Sequence, residues 1–246
     1  MLLSSLLMFG LAAGTDCDSV TSCNRLGTAA YEAGDYLLAV ERFGRQIDYA
    51  ETALQNSADE ASQERLQAAR DLALNNAALA HLKAGECLKA GAYLDQARAE
   101  ARATLANRRQ LSARCGDALA QSASTGIYWQ YAGHGLWNRV QIAPTGDETL
   151  RLDAFWMRTG MGPMDEYGIK AFGELEQVAL HVDGSSARGL FDGLDENKPC
   201  SLALRFLGQS IEIEIADDAD CQTGGAGALL QGRYVLVSTA IPDSED

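Results

Sequence analysis

Ser185 and Ser186 lie beside His181 and Asp183, the residue types of a nucleophile–base–acid relay. A serine nucleophile needs a G-x-S-x-G elbow, or a comparable sharp turn that presents its hydroxyl to the base. No such setting surrounds this cluster, so no catalytic residue is assigned and the chain reads as a non-enzyme. Carboxylates gather twice, at Asp217-Asp218 with Asp220 and at Asp192 with Asp195 and Glu196. They could ligate calcium, but EF-hand spacing is missing, and acidic turns on an acidic surface are ordinarily just solvated. Gly224-Gly225-Ala226-Gly227 is not followed by Lys-Ser/Thr, so it reads as a loop or bulge rather than a phosphate cradle. His81, His134 and His181 lack zinc-ligand spacing, and no C-x-x-C occurs. No metal and no cofactor is expected.

The six cysteines are the strongest covalent signal. They group locally as Cys17 with Cys23, Cys87 with Cys115, and Cys200 with Cys221, an even set at short separations that suits disulfides in an oxidising compartment. The first fourteen residues, MLLSSLLMFGLAAG, are apolar, end in small residues and are far too short to span a bilayer. They read as an export signal over 1–14, placing the mature chain in the periplasm or outside the cell.

Composition narrows the partners. The chain has 246 residues, 47% hydrophobic and 22% charged, and a formal net charge of −14. Up to Thr125 there are 12 basic and 15 acidic residues, and beyond it 8 and 19. A phosphate backbone needs a Lys/Arg patch to neutralise it, so nucleic acid is not an expected partner. Anionic lipid surfaces are disfavoured for the same reason, and no stable membrane insertion is expected.

The elements that position these residues fall into two halves, meeting near Gln121–Gly126. Before that stretch, apolar and small residues recur with helical periodicity. Leu26-Gly27, Tyr31, Gly34-Asp35-Tyr36, Ala39 and Phe43 resemble the core signature of the tetratricopeptide repeat, a helix hairpin. Gly27 and Ala30 are small where the first helix of a hairpin approaches the second, Gly34 closes the first helix, and Tyr36, Ala39 and Phe43 share one face of the second. A further copy runs through Asn76-Ala77-Ala78, Leu82, Gly85, Ala90, Leu94 and Ala97, and a fragment of a third starts at Leu111-Ser112 with Cys115. Ala77 to Leu111 is 34 positions, the family's period, whereas Leu26 to Ala77 is 51. The surplus falls in Tyr49–Asp71, expected to lengthen the two facing helices, which separate at Asn56–Asp59. Ser57 and Glu60 have the spacing of a capping box.

The resemblance implies a protein- or peptide-binding array. Its concave face would be lined by Asn24, Thr28, Tyr31 and Glu32 from one repeat, and by Asn75, Asn76, Leu79 and Lys83 from the next. Only Asn76 matches the Lys/Asn pattern with which some relatives clamp a partner's C-terminal carboxylate, so that mode is not expected. In the same frame, Cys87 opens a second helix and Cys115 lies late in the following first helix, which runs back beside it. A bridge there is geometrically reasonable.

After Gly126 the period changes from helical to two. Leu150, Leu152 and Ala154 alternate with polar neighbours, as do Val178, Leu180 and Val182, Leu202, Leu204 and Phe206, and Ile211, Ile213 and Ile215. Gly208-Gln209 reads as a hairpin turn. The matching ends Gly126-Ile127-Tyr128 and Gly232-Arg233-Tyr234 predict first and last strands side by side. Trp129, Trp137, Phe155 and Trp156 are expected to fill the interior, and Met161 and Met164 to sit on the one long loop. Together these patterns predict an antiparallel β-barrel or sandwich. The last fifty or so residues resemble small disulfide-tied β modules of exported bacterial proteins, some of which inhibit lysozyme.

The expected architecture is therefore multidomain: a tetratricopeptide-like helical domain over 17–124 and a small antiparallel β domain over 126–240. The expected function is a non-catalytic exported adaptor or scaffold that binds a protein or peptide through the helical groove. The alternative is a lysozyme-type cell-wall hydrolase inhibitor acting through the β domain.

Overall fold

The computed structural model describes residues 17–120, 122–160, 169–193, 198–216, 221 and 228–242. The expected export signal, Met161 and Met164, the acidic residues Asp195, Glu196, Asp217, Asp218 and Asp220, and the glycine run at 224–227 lie outside them.

Five helices come first: α1 (Val20–Glu32), α2 (Tyr36–Asn56), α3 (Glu60–Lys83), α4 (Cys87–Gln96) and α5 (Arg102–Leu119). Side chains cap the first three. Ser19 accepts from Ser22 N–H at α1, Asp35 from Leu38 N–H at α2, and Asp59 from Ser62 N–H at 2.9 Å at α3. The last corrects the expected capping box. Asp59, not Ser57, is the residue immediately before the helix, and its carboxylate also meets the positive end of the helix dipole. Ser57 instead ends α2, its N–H donating to Leu54.

The turns α1–α2 and α3–α4 are built alike. Gly34 and Gly85 have φ of 81° and 82°, a region natural to glycine. The N–H of the following residue reaches back five positions in each, from Asp35 to Ala30 and from Glu86 to His81, both at 2.9 Å. Each first helix thus ends in the same Schellman arrangement. The hairpins close on small residues. A Cβ at Gly27 would lie 2.6 Å from the Phe43 ring, so Phe43 sits directly on the α1 backbone. Ala39, Phe43 and Ile47 join Leu74, Ala77, Ala78, Ala90, Tyr93 and Leu94 in one core.

Eight strands follow: β1 (Gly126–Gly133), β2 (Leu136–Pro144), β3 (Thr149–Thr159), β4 (Ile169–Asp183), β5 (Ser186–Asp192), β6 (Pro199–Phe206), β7 (Ser210–Ile215) and β8 (Gly232–Ser238). They form a closed antiparallel barrel in chain order rather than a sandwich. β1 pairs with β8 through Ile127↔Ser238 and Trp129↔Val235, as the matching Gly-x-Tyr ends predict. The alternating residues named above point inward, with Tyr128, Trp156 and Tyr234 among the most deeply buried side chains. Their polar ends are satisfied by backbone carbonyls: Tyr128 Oη donates to Ala123, Trp156 Nε1 to Ala228 and Tyr234 Oη to Leu230. Burial pushes the Tyr128 hydroxyl up to about 12.

Of the four aromatics expected inside, Trp156 alone fills the barrel. Tyr128 occupies the inward phase of β1, so Trp129 one residue later faces outward. Phe155 likewise precedes inward Trp156 and stacks outside on Phe172, with ring centres 6.0 Å apart. All three expected disulfides are formed: Cys17–Cys23, Cys87–Cys115 and Cys200–Cys221. Cys87–Cys115 ties the start of α4 to a kink in α5, where Cys115 leaves helical geometry.

Candidate functional site

The predicted groove residues are carried by α1 and α3, with α5 beside α3. Asn76 Nδ2 of α3 approaches Asn24 Oδ1 of α1 at 3.5 Å. Tyr31, near the end of α1, packs edge-on against Tyr36 with ring centres 5.6 Å apart and lies within electrostatic reach of Arg114 on α5. Burial, then Tyr36, raises its hydroxyl pKa, and Arg114 offsets part of that. Thr28, Glu32 and Lys83 are exposed, and Asn24, Tyr31, Asn76 and Leu79 are half-buried.

Asn75 is the exception. At 2% exposure it is closed off between helices, donating to Asp71 O and Thr104 Oγ1 and accepting from Asn107 Nδ2 at 2.8 Å. Its role is to bind α3 to α5. The helical period explains the error, because Asn75 and Asn76 are adjacent and point about 100° apart, so both cannot line one face.

The barrel meets the helices elsewhere, along α2 and α4. Trp129 and Tyr131 on β1 and Trp137 on β2 face outward and pack on the helical core. Trp137 is the centre of this seam: its ring lies 5.0 Å from Tyr93 of α4, 5.1 Å from Tyr131 and 5.3 Å from Trp129. Tyr93 continues the stack to His81. Cations close both ends, Lys89 over Trp129 and Arg70 over Tyr131. Gln209 Nε2 of the β6–β7 turn also donates to Ala118 O at the end of α5.

A polar network runs beside the seam. The β1–β2 turn carries His134 in the left-handed region, with φ of 56°. Its imidazole is 2% exposed, with Nδ1 2.8 Å from Asp48 Oδ1 and Nε2 3.0 Å from the Gln55 amide. Its backbone N–H donates to Glu51 Oε2. Glu51 Oε1 accepts from Tyr131 Oη and Arg70 Nε, and Tyr131 Oη in turn accepts from Gly135 N–H. Glycine is required at 135, where a Cβ would lie 2.6 Å from Gly44 O of α2.

Electrostatics follow from these contacts. The hydrogen bond to Asp48 raises the His134 pKa above the ordinary imidazole value, against the opposing effect of burial. His81 goes the other way because burial outweighs its bond to Glu86. Burial alone would raise Glu86, but bonds from Lys89 and His81 bring it below the usual value. Burial and then Glu51 push the Tyr131 hydroxyl strongly up, so it acts only as a neutral donor and acceptor.

The network is a tie rather than a relay, since His134 Nε2 faces an amide and not a nucleophile. Among the described residues, no three His, Cys, Asp or Glu side chains are grouped to hold a metal ion, and no helix is long and apolar enough to cross a membrane. A cleft of about 620 Å3 opens between α2 and the β1–β2 turn, with Arg45, Asp48, Tyr49 and His134 on its walls.

The seam was not anticipated, although strand alternation carried a signal for it. With Tyr128 inward, Trp129 and Tyr131 share the outer face, and Trp137 lies opposite Tyr131 in register. Three large aromatics on one outer patch of a barrel require a cover. Compared with protein-family models, curated proteins and solved structures, the chain finds no match.

Proposed function

We propose that the helical half is a tetratricopeptide-like array that docks a segment of another protein on the α1–α3 face, and that the chain acts without turnover as an exported adaptor or scaffold. The observation that carries this reading is the side on which the barrel sits. The seam occupies α2, α4, Arg70 of α3 and the end of α5. Thr28, Glu32 and Lys83 are left exposed, with no side-chain hydrogen bond or ion pair among the described residues. The two like turns at Gly34 and Gly85, and the seat of Phe43 on Gly27, support the repeat reading. Three disulfides suit an oxidising, extracytoplasmic setting, and within it we assign the periplasm or the secreted fraction.

Selection of displayed peptides on the whole protein tests the assignment. Peptides enriched on the wild type are expected to be lost on a Thr28→Arg/Leu79→Arg variant, and enrichment unaffected by it would place docking elsewhere. The acidic excess of the β half, 19 acidic against 8 basic residues, favours a second reading in which the barrel inhibits a basic lysozyme-type hydrolase. Lysozyme turnover unchanged by added protein supports the adaptor. A dose-dependent loss that survives the groove substitutions would move the function to the barrel.

A further inference from the structure

We propose that α2 and the β1–β2 turn form a pH-graded latch, in which His134 seated on Asp48 and Glu51 holds the barrel against the helices more firmly in mild acid than in mild alkali. The turn enters the helical half as a single key. His134 supplies its imidazole to Asp48 and its backbone N–H to Glu51, and the next N–H, at Gly135, bonds to Tyr131 Oη. All three receptors meet at Glu51 or one helical turn from it.

The charged surroundings are uneven. α2 presents two carboxylates, Asp48 and Glu51, with Arg45 and Glu41 farther along the cleft wall. α3 presents Arg70, whose Nε is spent on Glu51. β1 contributes Tyr131 and α4 contributes Tyr93, both neutral at ordinary pH because burial raises their hydroxyls. β3 contributes the uncharged Thr159, bonded to Ala132 O. Asp48 has the imidazole as its sole cationic partner among the described residues, so deprotonating His134 leaves that carboxylate unneutralised at a half-exposed site.

The opposite side of the ring accommodates both charge states. With neutral His134 donating from Nδ1 to Asp48, Nε2 accepts from the Gln55 amide nitrogen. With charged His134, Nε2 donates, and the Gln55 amide turns over to present its oxygen. The ring therefore remains bonded on both sides, and the ion pair with Asp48 is gained or lost with the proton. The latch is graded rather than all-or-none.

The direction follows from linkage. The docked imidazole binds its proton more tightly than a free one, so the stabilisation is complete below about pH 6.5 and is lost as pH rises through the docked value.

Two measurements on the whole protein test this. Imidazole NMR should show His134 titrating above a free histidine. Amide hydrogen exchange, corrected for intrinsic rates, should show protection at His134 and Gly135 falling as pH is raised from about 6.5 through the docked value. The isosteric Asp48→Asn variant keeps a bond to Nδ1 but should flatten that pH dependence, as should His134→Gln. A His134 titration at or below the free value, or protection independent of pH in the wild type, overturns the proposal without recourse to either variant.

Discussion

Gly27 and Gly44 stand on facing helices of the first hairpin, yet substitution should move stability in opposite directions. A methyl at Gly27 would lie 2.6 Å from the Phe43 ring, so Gly27→Ala forces the hairpin apart and is expected to cost about 1–3 kcal/mol. At Gly44 the added carbon meets nothing within 4 Å, so Gly44→Ala only improves helix propensity and should add about 0.5–1 kcal/mol. Urea midpoints of the two variants check both signs. Positions of the Gly27 kind were legible in the sequence because size and backbone conformation are local properties. Gly34 and Gly85 were read as helix ends and adopt the left-handed geometry such ends use. Asn75 and Trp137 were misread, because which neighbour covers a polar or aromatic residue is decided by elements distant in the chain.

At the scale of elements, strand alternation carried far. The inward residues of β3, β4, β6 and β7 and the β1–β8 pairing were readable because a period of two assigns faces without knowledge of the partner. The extra length between Leu26 and Ala77 was also legible, as Tyr49–Asp71 extends α2 and α3 on either side of Asn56–Asp59. The exact cap was not, since Ser57 and Asp59 both fit an N-terminal pattern and both are extended, and only where the helix begins and which side chain accepts from its first turn separate them. The cysteines make a quantitative prediction here. Cys87–Cys115 closes 28 residues and Cys17–Cys23 only 6. Replacing Cys87 and Cys115 with serine should therefore lower stability by about 2–4 kcal/mol, more than the same change at Cys17 and Cys23. Thermal unfolding of the two double variants under oxidising conditions would rank them, and a reversed order would mean that chain closure is not what Cys87–Cys115 contributes.

At the scale of the whole molecule, the aromatic seam makes the helices and the barrel one unit. Trp137 touches both halves, so Trp137→Ala should remove about 3 kcal/mol, the low end for a large aromatic because its ring is only half-buried. It should also lower hydrogen-exchange protection at His134 and Gly135, although neither is altered. Trp156→Ala, inside the barrel, should cost about as much or more and leave the helical amides protected until global unfolding. For the proposed adaptor reading, what counts is the surface the seam leaves uncovered. By taking α2 and α4, the barrel lies away from the face that carries Asn24, Thr28, Tyr31, Asn76, Leu79 and Lys83. The most direct measurement is the hydrogen-exchange footprint of a peptide selected on the whole protein. New protection confined to α1 and α3, with β1–β8 unchanged, is the predicted result. A footprint on the strands, with the two helices unaffected, would contradict the account.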